Sequence, residues 1–499
     1  MDIAAPHSTD PLLDPEEPDL SDLDPKDWTA ARAQAHRMLD DILDHVQQVR
    51  EGPVWRPIPE AVRAEFAASL PWSPCDLADV HADFKRLILP HATGNLHPRF
   101  MGWVHGGGNV AGMLADMLAA GLNANLGGRD HIPVEVERQV TRWMAELFGF
   151  PAQASGLFVT GTSLANLIAV LAARADALGS GSRIDGVAQG VGGLVAYASA
   201  AAHSCIAKAL DIAGLGSGAL RLIATDDAGR MDPARLAPVI AADRAAGLQP
   251  FLIVGTAGTV DIGAVDDLTA LADIAEREHL WLHVDGAFGA LGRLSPDLAP
   301  LFAGIERAQS IAFDFHKWGQ APYDAGFVLM RDEAKHRAAF ASTAPYLERQ
   351  ARGMAAGQPW LCDYGPDLSR GFRALKVWFA FKTYGAAAIG RAIAKTCRLA
   401  QALARGVDAE PELERLAPVA LNIVCFRYRG PDADRLNAEI VTALQESGVA
   451  APSTTVLDGR LAIRAAIVNH RTRAEDIDIL VREVLRLGRA LSGSFGDAS

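Results

Sequence analysis

The stretch SIAFDFHKWGQAPYDAGFVLMRD, Ser310–Asp332, decides how the chain is read. Its two short apolar runs, SIAFD and GFVLM, have the length and composition of buried strands. Between them runs a turn rich in Gly, Pro and Asp, and at its start stand His316 and Lys317. An ammonium at the mouth of a buried sheet is costly unless it meets a partner or has a task.

Upstream the same kind of run recurs: LFVT (157–160), LVAYAS (194–199), RLIATD (221–226), FLIVGT (251–256) and LWLHVD (280–285). Near-continuous apolar runs are what strands covered on both faces require. Helical stretches such as SLANLIAVLAARADAL and DLTALADIAEREH lie between them and are long enough to cross over a sheet. The alternation predicts an α/β fold with a mostly parallel sheet of right-handed βαβ units.

Four regions are expected. Residues 1–27 form an acidic, proline-rich arm, expected to be mobile, and residues 28–90 a helical segment suited to dimer packing. In the latter, Trp28–Arg50 places Ala35, Met38, Ile42 and Val46 at helical spacing, an apolar face in need of a partner surface. Residues 91–384 are the large domain, with a long, weakly periodic loop over 341–370 expected to act as a lid. Residues 385–499 form a small C-terminal α/β domain, read from VALNIVCFRY, DADRLNAEIVTALQESG, GRLAIRAAIVNH and a last helix over Ala474–Leu487.

Composition narrows the class of function. Of the 499 residues, 49% are apolar and 21% charged, as in a soluble enzyme rather than a disordered chain. The net charge of −13, without basic blocks, argues against nucleic acid and points to small-molecule partners. Five scattered cysteines without CxxC spacing signal neither a disulfide framework nor a metal site, so a reducing cytoplasm is expected. The N-terminus lacks the basic end and apolar core of a signal peptide, and no stretch is apolar enough to span a membrane.

Open parallel sheets bind ligands beyond the carboxyl ends of their strands, so the residues after each run are read together. LFVT leads to Gly161, Thr162 and Ser163, LVAYAS to His203, LWLHVD ends on Asp285, and SIAFD leads to His316 and Lys317. Backbone N–H groups at a helix start bind anions, and Thr162 and Ser163 add hydroxyls. Each of these features alone also fits a plain reading: an N-cap, a solvated lysine, a core histidine. Together they suit a lysine that forms a Schiff base with a carbonyl cofactor and a carboxylate that keeps a pyridine ring protonated, which points to pyridoxal 5'-phosphate.

At this point the chain resembles a family. HVDGAFGA, FDFHKW, YASAAAHSCIAKAL, HPRFMGWVHGGGNVAGMLADML and LSRGFRALKVWFAFKTYG are similar to the motifs of the group II pyridoxal-phosphate amino acid decarboxylases, over nearly the whole chain. The resemblance implies the type I fold of pyridoxal-phosphate enzymes and a homodimer that decarboxylates an amino acid substrate. It implies that Lys317 carries the cofactor, Asp285 pairs with its ring nitrogen, His203 stacks on one face and Ala287 packs on the other. Thr162, Ser163 and His316 would hold the phosphate. In the family a lid tyrosine returns the proton, and Tyr364 in CDYGPD is the residue at a comparable place.

Some positions depart from the aromatic-specific members: Val104, His105 and Gly106 follow Trp103, and NANLGGRDH brings Asn125, Arg129, Asp130 and His131. If these line the pocket, it is more polar than in those members and a polar or acidic substrate stands beside an aromatic one; read otherwise, the second segment is a surface turn. Competing activities on the same fold are an aldehyde synthase and a carbon–carbon lyase. A nicotinamide-dependent oxidoreductase is disfavoured because GLGSGA precedes a strand rather than a helix, and a silent binding protein because Lys317, Asp285 and His203 are all present.

Overall fold

A computed structural model describes residues 23–179, 181–187, 193–342, 348–430 and 432–496. The acidic arm up to residue 22, and residues 343–347 of the expected lid, lie outside the described residues. What is described divides into two compact units, one running to Val49 and including Pro59–Pro90, the other made of Arg50–Ile58 and the chain from His91 onward.

The smaller unit is built on the helix Trp28–Gln48, whose first turn is capped by the Asp27 carboxylate accepting from the Thr29 and Ala30 N–H groups at 2.8 and 3.0 Å. Buried Gln34 meets His81 of the helix Leu77–Asp83 at 3.1 Å, and Asp41 accepts from Lys85 at 2.8 Å. Polar contacts thus hold the helices together. The apolar face expected to need a partner stays open, with Ala35 and Met38 exposed and Ile42 and Val46 half-buried.

The larger unit holds two sheets. Its strands in chain order are β1 (Phe100–Met101), β2 (Ser155–Val159), β3 (Leu194–Ser199), β4 (Leu220–Ile223), β5 (Gln249–Thr256), β6 (Trp281–Asp285), β7 (Ser310–Asp314), β8 (Gly326–Met330), β9 (Leu413–Arg415), β10 (Ile423–Tyr428), β11 (Ala451–Leu457) and β12 (Arg460–Ala466). The first sheet runs β2-β8-β7-β6-β5-β3-β4. All seven of its strands fall on the apolar runs read from the sequence. Pairs among β3 to β7 are parallel, whereas β8 is antiparallel to both β2 and β7. The turn after Lys317 is what reverses the chain into β8.

Around that reversal the core is aromatic: the rings of Phe158 and Phe327 lie 5.0 Å apart, and those of Phe313 and Phe315 5.2 Å apart. Gly326 packs so closely on Gly161 that a Cβ there would lie 2.4 Å from the Gly161 Cα. The start of β8 therefore presses directly on the turn that begins the helix Thr162–Leu178.

The second sheet runs β1-β11-β12-β10-β9. Its β10 and β12, the helix Ala433–Glu446 and a last helix starting at Ala474 match the sequence reading. Elements not anticipated include the short β1 and β9 and the two that follow. β11 contains Pro452 and three hydroxyl residues, signals that ordinarily argue against an interior strand. The proline is tolerated because it lies at the strand's start, opposite Met101 of the two-residue β1 and before the pairing with β12, which begins at Ser453. The helix Ala386–Ala409 is amphipathic, burying Ile389, Ile393, Leu403 and Val407 together with the small Ala394, Ala400 and Ala404.

The described part of the 341–370 segment is tied down rather than loose. Cys362 N–H donates to the Gly127 carbonyl at 2.8 Å, and Leu126 N–H to the Arg370 carbonyl at 2.8 Å. Arg370, fully buried, donates to Glu137 Oε1 at 2.6 Å and to the carbonyls of Phe158 at 2.7 Å and Leu126 at 3.0 Å. Removing the guanidinium strands the buried carboxylate of Glu137. Arg370→Met should therefore destabilise the fold by ~3–5 kcal/mol. Arg370→Met combined with Glu137→Leu should recover part of the loss, read as the thermal unfolding midpoints of the two variants against the parent.

Candidate active site

The carboxyl ends of β2, β3, β5, β6 and β7 open on one cavity of ≈ 410 Å³. Each strand delivers its next residues to that wall because parallel strands all finish on the same edge. β6 delivers Asp285 and Ala287, β7 Asp314, His316 and Lys317, and β5 Thr256, which stands in register with Asp285. His203 follows β3, and Thr162 and Ser163 follow β2. Seven of the eight residues singled out in the sequence thus meet here: Lys317, Asp285, His203, Ala287, Thr162, Ser163 and His316.

Tyr364 does not. It lies buried in a short turn, Leu361–Tyr364, where its hydroxyl donates to Glu333 Oε1 at 2.6 Å and its ring packs on His336 at 5.0 Å. Its phenol is committed to the side of the molecule away from the cavity wall. The sequence comparison matched Tyr364 by its place in a loop, and loop length does not fix where a side chain goes. The segment NANLGGRDH is also off the wall of this chain's cavity. Arg129 covers the Trp360 ring at 4.5 Å, and Asp130 N–H donates to the Met354 carbonyl at 3.0 Å.

Asp285 is a buried carboxylate with a full set of donors. Its Oδ1 accepts from the Ala287 N–H at 3.1 Å and its Oδ2 from Asn166 Nδ2 at 3.0 Å. Burial pushes its pKa up, while the Lys317 ammonium and these donors pull it back toward the ionised form. Lys317 Nζ itself pairs with Asp314 Oδ2 at 2.8 Å, and Asp314 Oδ1 accepts from the Thr162 N–H at 2.8 Å. Asp314 thereby ties the amine to the start of the helix.

His316 has a fixed tautomer. Its Nδ1 accepts from the Ala325 N–H at 3.0 Å, so the proton of the neutral ring sits on Nε2. Burial pushes its pKa down to about 4, leaving a neutral donor at physiological pH, and Tyr323 packs on it with ring centres 4.2 Å apart. His203 Nδ1 accepts from the Cys205 N–H at 3.1 Å, which likewise leaves the neutral ring's proton on Nε2.

Two buried hydroxyls on the wall, Thr162 Oγ1 and Thr256 Oγ1, have no hydrogen-bond partner among the described residues. Buried polar atoms left unpaired are rare and ask for a ligand or a water. One lies at a helix start, where anions bind. The other lies beside Asp285. With the Lys317 amine in the same wall, the set fits a phosphorylated carbonyl compound.

The comparisons with known proteins agree. Residues 59–429 match the pyridoxal-dependent decarboxylase conserved domain. The chain belongs to that family. It is 32% identical over 478 residues to an aromatic-L-amino-acid decarboxylase of Bacillus atrophaeus, covering 93% of this chain and 96% of the relative. It is 32% identical over 421 residues to an L-2,4-diaminobutyrate decarboxylase of Rhizobium meliloti (strain 1021), 83% of each chain. The crystal structure of Oryza sativa TDC with PLP and tryptamine superposes with a TM-score of 0.86 at 27% identity, over 94% of this chain and all of that one. The chain is a pyridoxal-phosphate-dependent carboxy-lyase of fold type I that acts on an amino acid.

Asp314, Thr256, Asn166 and Tyr323 belong to the site but escaped the sequence reading. Asp314 ends SIAFD just as Asp285 ends LWLHVD, a signal overlooked because His316 and Lys317 follow so closely. Asn166 lies four residues beyond Thr162 on one helix face, a polar residue in an otherwise apolar stripe.

Burial of neutral imidazoles sets the acid limb of stability. His97, His316 and His470 are lowered to about 4, and His283 and His336 to about 3. Between these values and the unfolded value of about 6.5 the unfolded chain binds more protons, so stability falls with falling pH by about 1.4 kcal/mol per unit for each such imidazole. The raised carboxyls Asp266 and Asp285 oppose this with the reverse sign. The thermal midpoint should therefore drop between pH 6.5 and 4.5, with net proton uptake on unfolding measurable by calorimetry in buffers of different ionisation enthalpy.

Proposed function

We propose that this enzyme decarboxylates an aromatic L-amino acid to the corresponding amine and carbon dioxide. The observation that carries the substrate class is the rim of the cavity. Trp103, His105 and Tyr323 line it, with the Trp103 and His105 ring centres 5.8 Å apart and those of His105 and Tyr323 5.9 Å apart, the latter pair edge to face. Phe100 backs the rim, stacked on His105 at 5.7 Å. Lys317 supplies the only Lys or Arg side chain among the described wall residues, so an acidic side chain finds no free counter-charge there. A flat apolar side chain finds ring faces and edges.

In this reading Lys317 would hold the cofactor through its amine, and Asp285 would pair with the ring nitrogen. His203 and Ala287 would hold the ring, and Thr162, Ser163 and His316 Nε2 would supply donors to the phosphate. Bound pyridoxal phosphate supplies an electron sink for the bond between Cα and the substrate carboxylate. The chain's own contribution is electrostatic and geometric. Burial raises the Asp285 pKa, the Lys317 ammonium and the carboxylate's hydrogen-bond donors oppose that rise, and Asp314 offers a second carboxylate to take or return the Lys317 proton at Nζ. The neutral His316 donates without adding charge.

The holoenzyme, given a panel of aromatic, acidic and diamino L-amino acids, should release carbon dioxide and amine in equal amounts from the aromatic ones. Aldehyde with peroxide in place of amine would mark the synthase activity, and no carbon dioxide from any of them would refute the reading. Trp103→Ala should lower kcat/KM for the aromatic substrate by about 10- to 100-fold, the loss of one ring contact. Lys317→Ala should abolish both turnover and the visible colour of the purified protein.

A homodimer in a reducing, cytoplasmic setting completes the proposal. All five cysteines are free, and no described helix is long and apolar enough to cross a membrane. In the smaller unit Trp28, Phe66, Leu70, Trp72, Leu77 and Val80 are exposed, more apolar surface than a solitary chain ordinarily leaves wet. Sedimentation should give twice the chain mass, and Leu77→Asp with Val80→Asp should shift it toward one.

A further inference from the structure

Behind the cavity wall lies a buried polar run for which the reaction as drawn so far has no use. Trp281, His283 and Asp285 alternate along β6 and therefore share one face of the strand. Ser310 begins β7 opposite His283, and Asn166 comes down from the helix Thr162–Leu178. The contacts are continuous: Trp281 Nε1 to Ser310 Oγ at 2.8 Å, Ser310 Oγ to His283 Nδ1 at 2.8 Å, His283 Nε2 to Asn166 Oδ1 at 2.8 Å, and Asn166 Nδ2 to Asp285 Oδ2 at 3.0 Å. His283, Asn166 and Ser310 are wholly shielded from solvent.

The direction of each bond follows by elimination. An indole N–H only donates, and an ionised carboxylate only accepts. Asn166 therefore turns its NH₂ to Asp285 and its carbonyl to His283. A carbonyl only accepts, so His283 Nε2 carries the proton. Burial holds this imidazole neutral, pushing it down to about 3, which leaves Nδ1 as the acceptor of the Ser310 hydroxyl proton. Ser310 Oγ in turn accepts from Trp281. Every bond donates toward Asp285, and turning the Asn166 amide over would set a carbonyl against the carboxylate.

The other groups facing Asp285 are Lys317 and His203 across the cavity and Cys205 beside it. Cys205 Sγ lies 3.9 Å from Asp285 Oδ2 and 3.2 Å from Asn166 Nδ2. Burial pushes its thiol up to about 12, so it adds no competing negative charge.

We infer that Asn166, His283, Ser310 and Trp281 are positioning residues, a one-way donor chain that fixes the Asp285 carboxylate and holds it ionised against its burial. The inference rests on the proposed pairing of Asp285 with the cofactor ring. Dipoles aligned head to tail in a low-dielectric interior reinforce one another, so the far members act through the near ones. Their influence should fade with distance from Asp285.

The test compares the holoenzyme with Asn166→Ala, Ser310→Ala and Trp281→Phe. Three quantities are measured: the pyridoxal phosphate dissociation constant by titration, the pH midpoint of the bound cofactor's visible absorption change, and the thermal midpoint of the protein freed of cofactor. Asn166→Ala should weaken cofactor binding by about 10- to 100-fold, the worth of a hydrogen bond to a charged group. Ser310→Ala should weaken it less and Trp281→Phe least, and the spectral midpoint should move in the same order. Should Asn166→Ala fail to fold, Ser310→Ala, which removes a single oxygen, decides. Variants that lower only the thermal midpoint, leaving the dissociation constant and spectrum as in the parent, overturn the inference while the proposed function stands. A parent protein that shows no Lys317-dependent colour with pyridoxal phosphate overturns both.

Discussion

The whole site is built around one carboxylate, Asp285, set where water cannot reach it. A lone buried anion would take up a proton instead of remaining charged. Burial raises the Asp285 pKa, and donors fixed by the fold oppose that rise: the Ala287 N–H in the turn after β6, and Asn166 from the helix that starts at Thr162. Neither is free to drift. The turn is held by Ala290 N–H donating to the Gly286 carbonyl, and Asn166 is gripped at its other end by His283. The local electrostatics is therefore a consequence of strand register, since moving β6 by one residue would turn Trp281, His283 and Asp285 to the opposite face together.

The second sheet serves the same cavity from outside. Arg464 of β12 donates to the Val260 carbonyl, and its guanidinium also reaches the Asp261 carbonyl at 3.2 Å, holding the loop that brings Gly258 and Val260 to the wall. On the other side, Gln320 accepts from the Gly107 N–H at 3.0 Å, and Arg471 donates to the Gly107 carbonyl at 2.8 Å. Gly106 lies flat on the backbone of His316 and Lys317, where a Cβ would come within 2.5 Å of the Lys317 carbonyl. The rim that carries Trp103 and His105 is thus fastened to the lysine's own turn, so the cavity rim and the Lys317 amine share one frame.

The residues of this site were legible to different degrees, for physical reasons. Strands such as LWLHVD and SIAFD announce themselves because burial on both faces demands unbroken apolar runs, and the residues after them follow from the topology. Lys317, Asp285 and His203 were found that way. Asn166 left only a faint signal, because a polar residue within a helix is ordinarily a solvated one, and packing against β6 is what reveals its partner. Tyr364 shows the converse. Its place in the chain suggested a lid, yet Glu333 and His336 claim the side chain. The Pro452 strand was hidden for a third reason: tertiary pairing overrode local preference.

Asp314 sharpens what the arrangement demands of a ligand. Its carboxylate sits between the helix start at Thr162 and the amine of Lys317, so a phosphate held at the same helix start meets a negative charge alongside its donors. Like charges in one pocket are tolerated only when a proton or a cation lies between them. Lys317 Nζ, 2.8 Å from Asp314 Oδ2, stands where such a cation is needed. The Thr162 N–H already donates to Asp314 Oδ1, and His316 Nε2 lies farther off, 3.6 Å from Oδ2. A neutral imidazole with a fixed tautomer is therefore the economical neighbour here, because it offers a donor without adding a charge.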